Sequence, residues 1–99
     1  ERSDIYSLGM ILYHIVNGGK DPFLPQGPHL VRYREKETAL RRRMSGEALP
    51  APTDASGEFT RILWRACAYD PKKRYPSASE LMKDLKKLMK LVKQLMRII

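Results

Sequence analysis

The sequence predicts an all-α fold. Apolar residues recur at helical spacing in four segments, glycine, proline or serine punctuates the gaps between them, and no segment alternates convincingly as a strand would.

The first helix is expected over residues 3–17. Ser3 reads as its N-cap, and Asp4 sits in the first turn, where a carboxylate suits the helix dipole. Ile5, Leu8, Ile11, Leu12, Ile15 and Val16 make one face, while Tyr6, Met10 and Tyr13 cover much of the rest. A helix apolar nearly all round is normally a central, buried one. Asn17-Gly18-Gly19 stops it, because glycine takes the left-handed conformation that a helix end needs. Lys20 to Pro28 then reads as an ordered loop anchored by Phe23 and Leu24.

The second helix is expected from His29 to Met44. It closes on Arg41, Arg42 and Arg43 and stops at Ser45-Gly46. Pro50 and Pro52 keep residues 47–55 out of regular helix or central strand. A third helix from about Ser56 to Tyr69 turns Phe59, Ile62, Leu63, Ala66 and Cys67 inward, and Asp70-Pro71 forces a turn. Ser77 and Glu80 are spaced as a capping box for a last helix reaching the terminus.

That last helix carries a seam. Leu81, Leu85, Leu88, Val92, Leu95 and Ile99 follow one another at alternating steps of four and three, a heptad pattern. Met82, Met89 and Met96 widen it, as do Leu91 and Ile98, and Lys83, Lys86, Lys87, Lys90, Lys93 and Arg97 fill the opposite side. Past Leu88 three readings stand open. The stripe is a packed extension, a self-association or partner seam through Leu85, Leu88, Val92 and Leu95, or a basic amphipathic segment on an anionic membrane surface.

Bulk properties limit the rest. Ninety-nine residues suit one domain, and 42% hydrophobic with 30% charged residues is a soluble globular balance. The single Cys67 excludes an internal disulfide and a Cys-based zinc site, and its apolar neighbours make it a buried, inert thiol. No apolar run approaches the ~18 residues needed to span a bilayer. A first residue of Glu reads as a cut rather than a natural start. The net charge of +8 permits phosphate or acidic-membrane contact, but no aromatic stacking platform accompanies it, which argues against nucleic acid. His14 reads as a satisfied core or boundary histidine, His29 as exposed, and Trp64 and Tyr69 as core or boundary aromatics. Ser7 has no neighbouring His and Asp in a nucleophile arrangement, and no cluster has metal-ligand spacing.

Ser3-Asp4-Ile5-Tyr6-Ser7-Leu8-Gly9-Met10-Ile11-Leu12-Tyr13 resembles the central helix, helix F, of the protein kinase C-lobe. The run from Arg65 through Asp70-Pro71-Lys72-Lys73-Arg74-Tyr75 resembles the junction between the last two helices of that lobe. Asp21-Pro22-Phe23 and the basic helix followed by Leu49-Pro50 fall in family order, so the resemblance covers residues 1–86, with 87–99 an extension of the last helix. Tyr6 where tyrosine-specific members carry Trp, and Arg74-Tyr75 where they carry Arg-Pro, resemble the serine/threonine branch and its bacterial members.

The resemblance implies a four-helix C-lobe fragment with an extended basic amphipathic last helix. It implies a parent that uses ATP and Mg to phosphorylate protein hydroxyls in the cytoplasm, or as the cytoplasmic part of a membrane-anchored kinase. Asp4 matches the aspartate that accepts hydrogen bonds from the catalytic-loop backbone. Arg74 matches the arginine that pairs with the glutamate of the Ala-Pro-Glu motif. That glutamate lies outside this sequence, so Arg74 is expected to turn to solvent or to borrow Glu1 or Asp70. The glycine-rich loop, phosphate-binding lysine, catalytic Asp and Asn, and Asp-Phe-Gly of the family are also outside it. No catalytic, cofactor or metal residue is therefore assigned within the 99 residues, and the chain alone is expected to be inactive. Its implied partners are the N-lobe, the catalytic and activation segments, and protein substrates docking around Gln26 to Arg43. The alternative is a stand-alone interaction module working through its tail.

Overall fold

The computed structural model describes residues 2–28 and 30–98, so expectations resting on Glu1, His29, Ile99 and the Ile98 side chain lie outside the described residues. Four helices follow in order, α1 (Arg2–Ile15), α2 (Tyr33–Met44), α3 (Gly57–Ala66) and α4 (Ala78–Ile98), with a 3-10 turn at Pro71–Lys73. Among the described residues there is no strand.

Local chemistry sets each boundary. α1 already runs through Ser3, whose carbonyl accepts from the Ser7 hydroxyl, so Ser3 is a helical residue and not the expected cap. At its far end Gly18 (φ 65°) and Gly19 (φ 74°) turn left-handed, and the Gly19 amide donates back to the His14 carbonyl. α2 starts at Tyr33 rather than near residue 29, because the Glu35 carboxylate accepts the Arg32 amide (2.9 Å) and makes Arg32 the cap. Ser56 caps α3 by accepting the Phe59 amide. Ser77 caps α4 by accepting the Glu80 amide, but Glu80 turns to Lys83 instead of back to Ser77. Only half of the expected capping box forms.

α3 lies between α1 and α4 and packs on both, while α2 joins neither contact. The core is Ile5 from α1, Ile62 and Ala66 from α3, Tyr75, and Leu81 from α4, with Leu85 and Leu88 leaning on it. α1 is consequently a flank and α3 the centre, the reverse of what the all-round apolar character of residues 3–17 predicts. The buried stripe of α1 is Ile5, Gly9 and Tyr13. Gly9 is there for space: a Cβ would come 2.7 Å from Cys67 Sγ and 2.8 Å from Ala66 Cβ.

The loop before α3 is bound to α1. Tyr13 is fully buried and donates its hydroxyl to the Pro50 carbonyl (2.8 Å). Asn17, also buried, donates to the Lys20 carbonyl and accepts the Thr53 amide. α2 is held mainly through its last turn. Arg42 makes a two-pronged ion pair with Glu47 (2.8 and 2.7 Å) and lies over the Phe23 ring (4.3 Å). Phe23 has φ 70°, a costly backbone for a bulky residue, and the surrounding loop holds it there.

Candidate functional site

The residue with the most connections at the head of α1 is Arg74. Its Nε donates to the Ala68 carbonyl (2.6 Å), Nη2 to the Tyr69 carbonyl (3.2 Å) and Nη1 to the Arg2 carbonyl (3.3 Å). The guanidinium also lies over the Tyr6 ring, 4.5 Å from its centroid. Of the two expected acidic partners, Asp70 instead accepts the Lys72 amide and caps the 3-10 turn, and Glu1 lies outside the described residues. Arg74 is half-buried, and carbonyl oxygens at the end of α3 satisfy it. α3 stops at Ala66, three residues short of the expected Tyr69. The guanidinium takes the carbonyls of Ala68 and Tyr69, and a helix end offers those free.

Tyr75 extends the junction into α4. It is buried, donates its hydroxyl to Asp84 (2.7 Å), and has Arg65 over its ring (4.2 Å). Burial first, then the bond to Asp84, holds its hydroxyl well above the ordinary tyrosine pKa. The segment Asp70 to Tyr75 thus fastens three helices: α1 through Arg2 and Tyr6, α3 through Arg65, and α4 through Asp84.

Asp4 is placed differently. It is exposed, and among the described residues its carboxylate makes no ion pair or side-chain hydrogen bond. Helical spacing puts Asp4 in line with Leu8, Ile11 and Ile15, and all four are exposed, at 37%, 58% and 65% for the three apolar side chains. Asp4 and Arg74 therefore share the same end of α1 without touching. One is built into the junction, and the other heads an uncovered apolar stripe.

The remaining singled-out residues carry no site. Cys67 is buried, and burial pushes its thiol up to about 12 against the opposing pull of Arg74 and Arg43, so it is the inert thiol expected. His14 is exposed and pairs with Asp21 at 3.1 Å, a surface contact rather than a core one. Ser7 is spent on the Ser3 carbonyl. Trp64 (44% exposed) and Tyr69 (61% exposed) are not core residues. They line an open cleft of about 280 Å³ with Arg43 and Leu49, where Arg43 Nε is buried without a partner. The inner face of α3 is filled by Ile62, Leu63 and Ala66, which leaves these aromatics outside. Sequence reading missed Tyr6 and the Arg2 carbonyl as partners of Arg74. The one available signal was an aromatic at the helix start, a surface on which guanidinium groups stack.

Residues 1–85 match the family model described as protein tyrosine and serine/threonine kinase. Curated relatives agree. The chain is 36% identical over 87 residues to serine/threonine-protein kinase PknB of Mycolicibacterium smegmatis, covering 85% of this chain and 12% of that protein. It is 36% identical over 87 residues to the probable serine/threonine-protein kinase PknB of Corynebacterium glutamicum (88% and 13%). It is 31% identical over 90 residues to the probable serine/threonine-protein kinase CPE1738 of Clostridium perfringens (90% and 12%). The chain thus spans about an eighth of the length of the relatives it matches.

Proposed function

The chain belongs to the protein tyrosine and serine/threonine kinase family, and from that premise we propose that it is the helical base of a serine/threonine kinase moving the ATP γ-phosphoryl group to protein hydroxyls. One observation carries the reading: the exposed stripe of Asp4, Leu8, Ile11 and Ile15 on a helix whose other side is buried. The catalytic and activation segments of the whole kinase would cover this stripe. Asp4 would accept backbone amides of the catalytic loop, a stiff charge-assisted support. Arg74, pre-oriented by Tyr6 and three carbonyls, would meet the glutamate of the Ala-Pro-Glu motif. Both are supports of the reaction centre and neither is a reacting group. The base would reach to about residue 86, with the segment from 87 onward an extension of α4; Ile99 lies outside the described residues.

ATP and Mg belong to the parent. Among the described residues no three His, Cys, Asp or Glu side chains come together for a metal. The left-handed glycines fall in three separate turns, Gly18 with Gly19, Gly27, and Gly46, instead of one phosphate-cradling loop. The residues present do not fit the nucleotide and its metal. α2, which makes no extensive contact with another helix, and the loop from Gln26 would offer protein substrates a docking face. The parent would act in the cytoplasm, or as the cytoplasmic part of a membrane-anchored protein.

The test is phosphoryl transfer from γ-labelled ATP to a generic basic protein by the full reading frame, by its Asp4→Asn variant and by the 99 residues alone. The full frame transfers. The variant, with its melting temperature retained, loses roughly a hundredfold in turnover, the scale of a misplaced reacting loop. The 99 residues do not transfer. A variant as fast as the parent would remove Asp4 from the supporting role.

The alternative is a stand-alone interaction module that would work through α4, whose apolar side chains past Leu88 stand in solvent.

A further inference from the structure

Inside the fold α4 is held firmly. Leu81 is fully buried, Asp84 accepts from Tyr75, and Leu85 and Leu88 lean on the core. Beyond that point the packing ends while the helix continues to Ile98. Met89, Leu91, Val92, Leu95 and Met96 are 46–70% exposed. With 3.6 residues per turn they join Leu85 and Leu88 in one unbroken apolar arc of roughly half the circumference. Lys86, Lys87, Lys90, Lys93 and Arg97 occupy the other half with Gln94. No acidic residue follows Asp84, and among the described residues none of these five cations has an ion-pair partner.

We propose that the distal half of α4 binds the surface of an anionic lipid bilayer, lying in the interface with its apolar arc down. The charge pattern selects this occupant over a second copy of the chain. With Leu85, Leu88, Val92 and Leu95 at the a and d positions of a seam, the flanking e and g positions are the apolar Met89, Leu91 and Met96, and the cations stand at the outer b, c and f positions, where a second copy would leave all ten facing water with no acidic group to answer them. The arc is also wider than the narrow two-position seam of a coiled coil. A bilayer surface meets both halves at once. Acyl chains take the apolar arc, anionic headgroups surround the lysines, and the long lysine stems reach up to them. The helix lies on the membrane instead of crossing it, since among the described residues no helix is long and apolar enough to span one. The reading rests on the exposed arc of α4 alone, so its failure would leave the kinase reading untouched.

Sedimentation of the intact chain with phosphatidylcholine vesicles, with and without about one third phosphatidylglycerol, tests the proposal at low and high salt. Binding should be confined to the anionic vesicles and fall more than about tenfold at high salt, as screened surface charge requires. Lys90→Glu with Lys93→Glu, and separately Leu95→Asn with Met96→Asn, should each abolish it. Far-UV circular dichroism and Trp64 emission should stay unchanged, since all four positions are exposed. Equal binding to neutral vesicles, or no sedimentation with anionic ones, would overturn the proposal, and neither comparison needs a variant. A dimer lost in the Leu95→Asn, Met96→Asn protein, without vesicle binding, would assign the face to a second copy. Retention on immobilised polyglutamate alone would assign it to an acidic polypeptide. Either result would equally overturn the lipid reading.

Discussion

Arg74 stacks its guanidinium on the ring of Tyr6 while binding the carbonyls of Ala68 and Tyr69, so one side chain joins the end of α3 to the first turns of α1. Three charge-assisted bonds in a half-buried site make this the most consequential surface-accessible residue of the fold. Arg74→Ala should cost about 1–2 kcal/mol, because it removes the part-buried bond to Ala68 and the stacking on Tyr6, while water reaches the exposed carbonyls of Arg2 and Tyr69. Arg74→Lys should recover only part of that, since an ammonium cannot reproduce the planar fork or the stacking. Urea denaturation of the three proteins should rank them wild type, Lys, Ala. Equal midpoints for wild type and Ala would show that the junction is held by Tyr75 and Asp84 alone.

Gly9 marks the closest approach of α1 to α3. Gly9→Ala sets two effects against each other. Alanine gains up to about 1 kcal/mol in helix propensity, but its Cβ would meet Ala66 Cβ at 2.8 Å and Cys67 Sγ at 2.7 Å. The Ala66 Cβ cannot swing away, and overpacking of this kind costs about 1–3 kcal/mol. Net destabilisation is expected in a thermal melt. Ala66→Gly, destabilising by itself, should partly rescue Gly9→Ala, which a double-mutant cycle would read as coupling.

These two sites show what the sequence discloses and what it withholds. Two helix ends were legible because the chemistry was local: Asn17-Gly18-Gly19 and Ser45-Gly46 act within a turn, whereas α3 ends at Ala66, short of Asp70-Pro71. The four-helix kinase-like order was legible from motif spacing. Which side of α1 faces inward was not, because a helix apolar nearly all round has no period to point with. Ile5, Gly9 and Tyr13 were selected by the shape of α3. The partners of Arg74 were equally hidden, because backbone carbonyls leave no signature in residue identity. An acidic partner was the natural expectation, and the end of α3 took its place.

Buried ionisable groups give the fold an alkaline limit. Burial pushes the Tyr13 hydroxyl up to about 12, with the nearby Cys67 adding to the rise, and burial pushes the Cys67 thiol up to about 12 as well. Both groups are neutral when protonated, so raised folded values mean that the unfolded chain loses its protons first. Stability from these groups is complete below the unfolded thiol value of 9.0 and is lost as pH climbs from there toward about 12. The denaturant midpoint should be level up to about pH 9 and fall above it. Cys67→Ala should move the onset up toward the ordinary tyrosine value of 10.0. Thiol reagents should label Cys67 only in denaturant, and rapid labelling of the native protein would contradict its burial.

The uncovered stripe of α1 makes a prediction about the chain in isolation. Leu8, Ile11 and Ile15 form a contiguous apolar surface on a small domain whose buried core is modest. Water in contact with such a patch favours any arrangement that covers it, so the isolated chain should self-associate or unfold with low cooperativity. Ile11→Lys with Ile15→Glu places opposite charges one turn apart on this exposed face and removes the driving force without touching Ile5, Gly9 or Tyr13. The variant should sediment as a monomer where the wild type shows a concentration-dependent rise in mass, and it should keep its helical circular dichroism. In the full reading frame the same substitutions should do harm, because there the stripe would be the seat of the catalytic segments. Opposite effects in the two settings would tie the exposed face to the missing partner. A wild-type chain that melts sharply as a monomer at every concentration would show that α1 needs no cover.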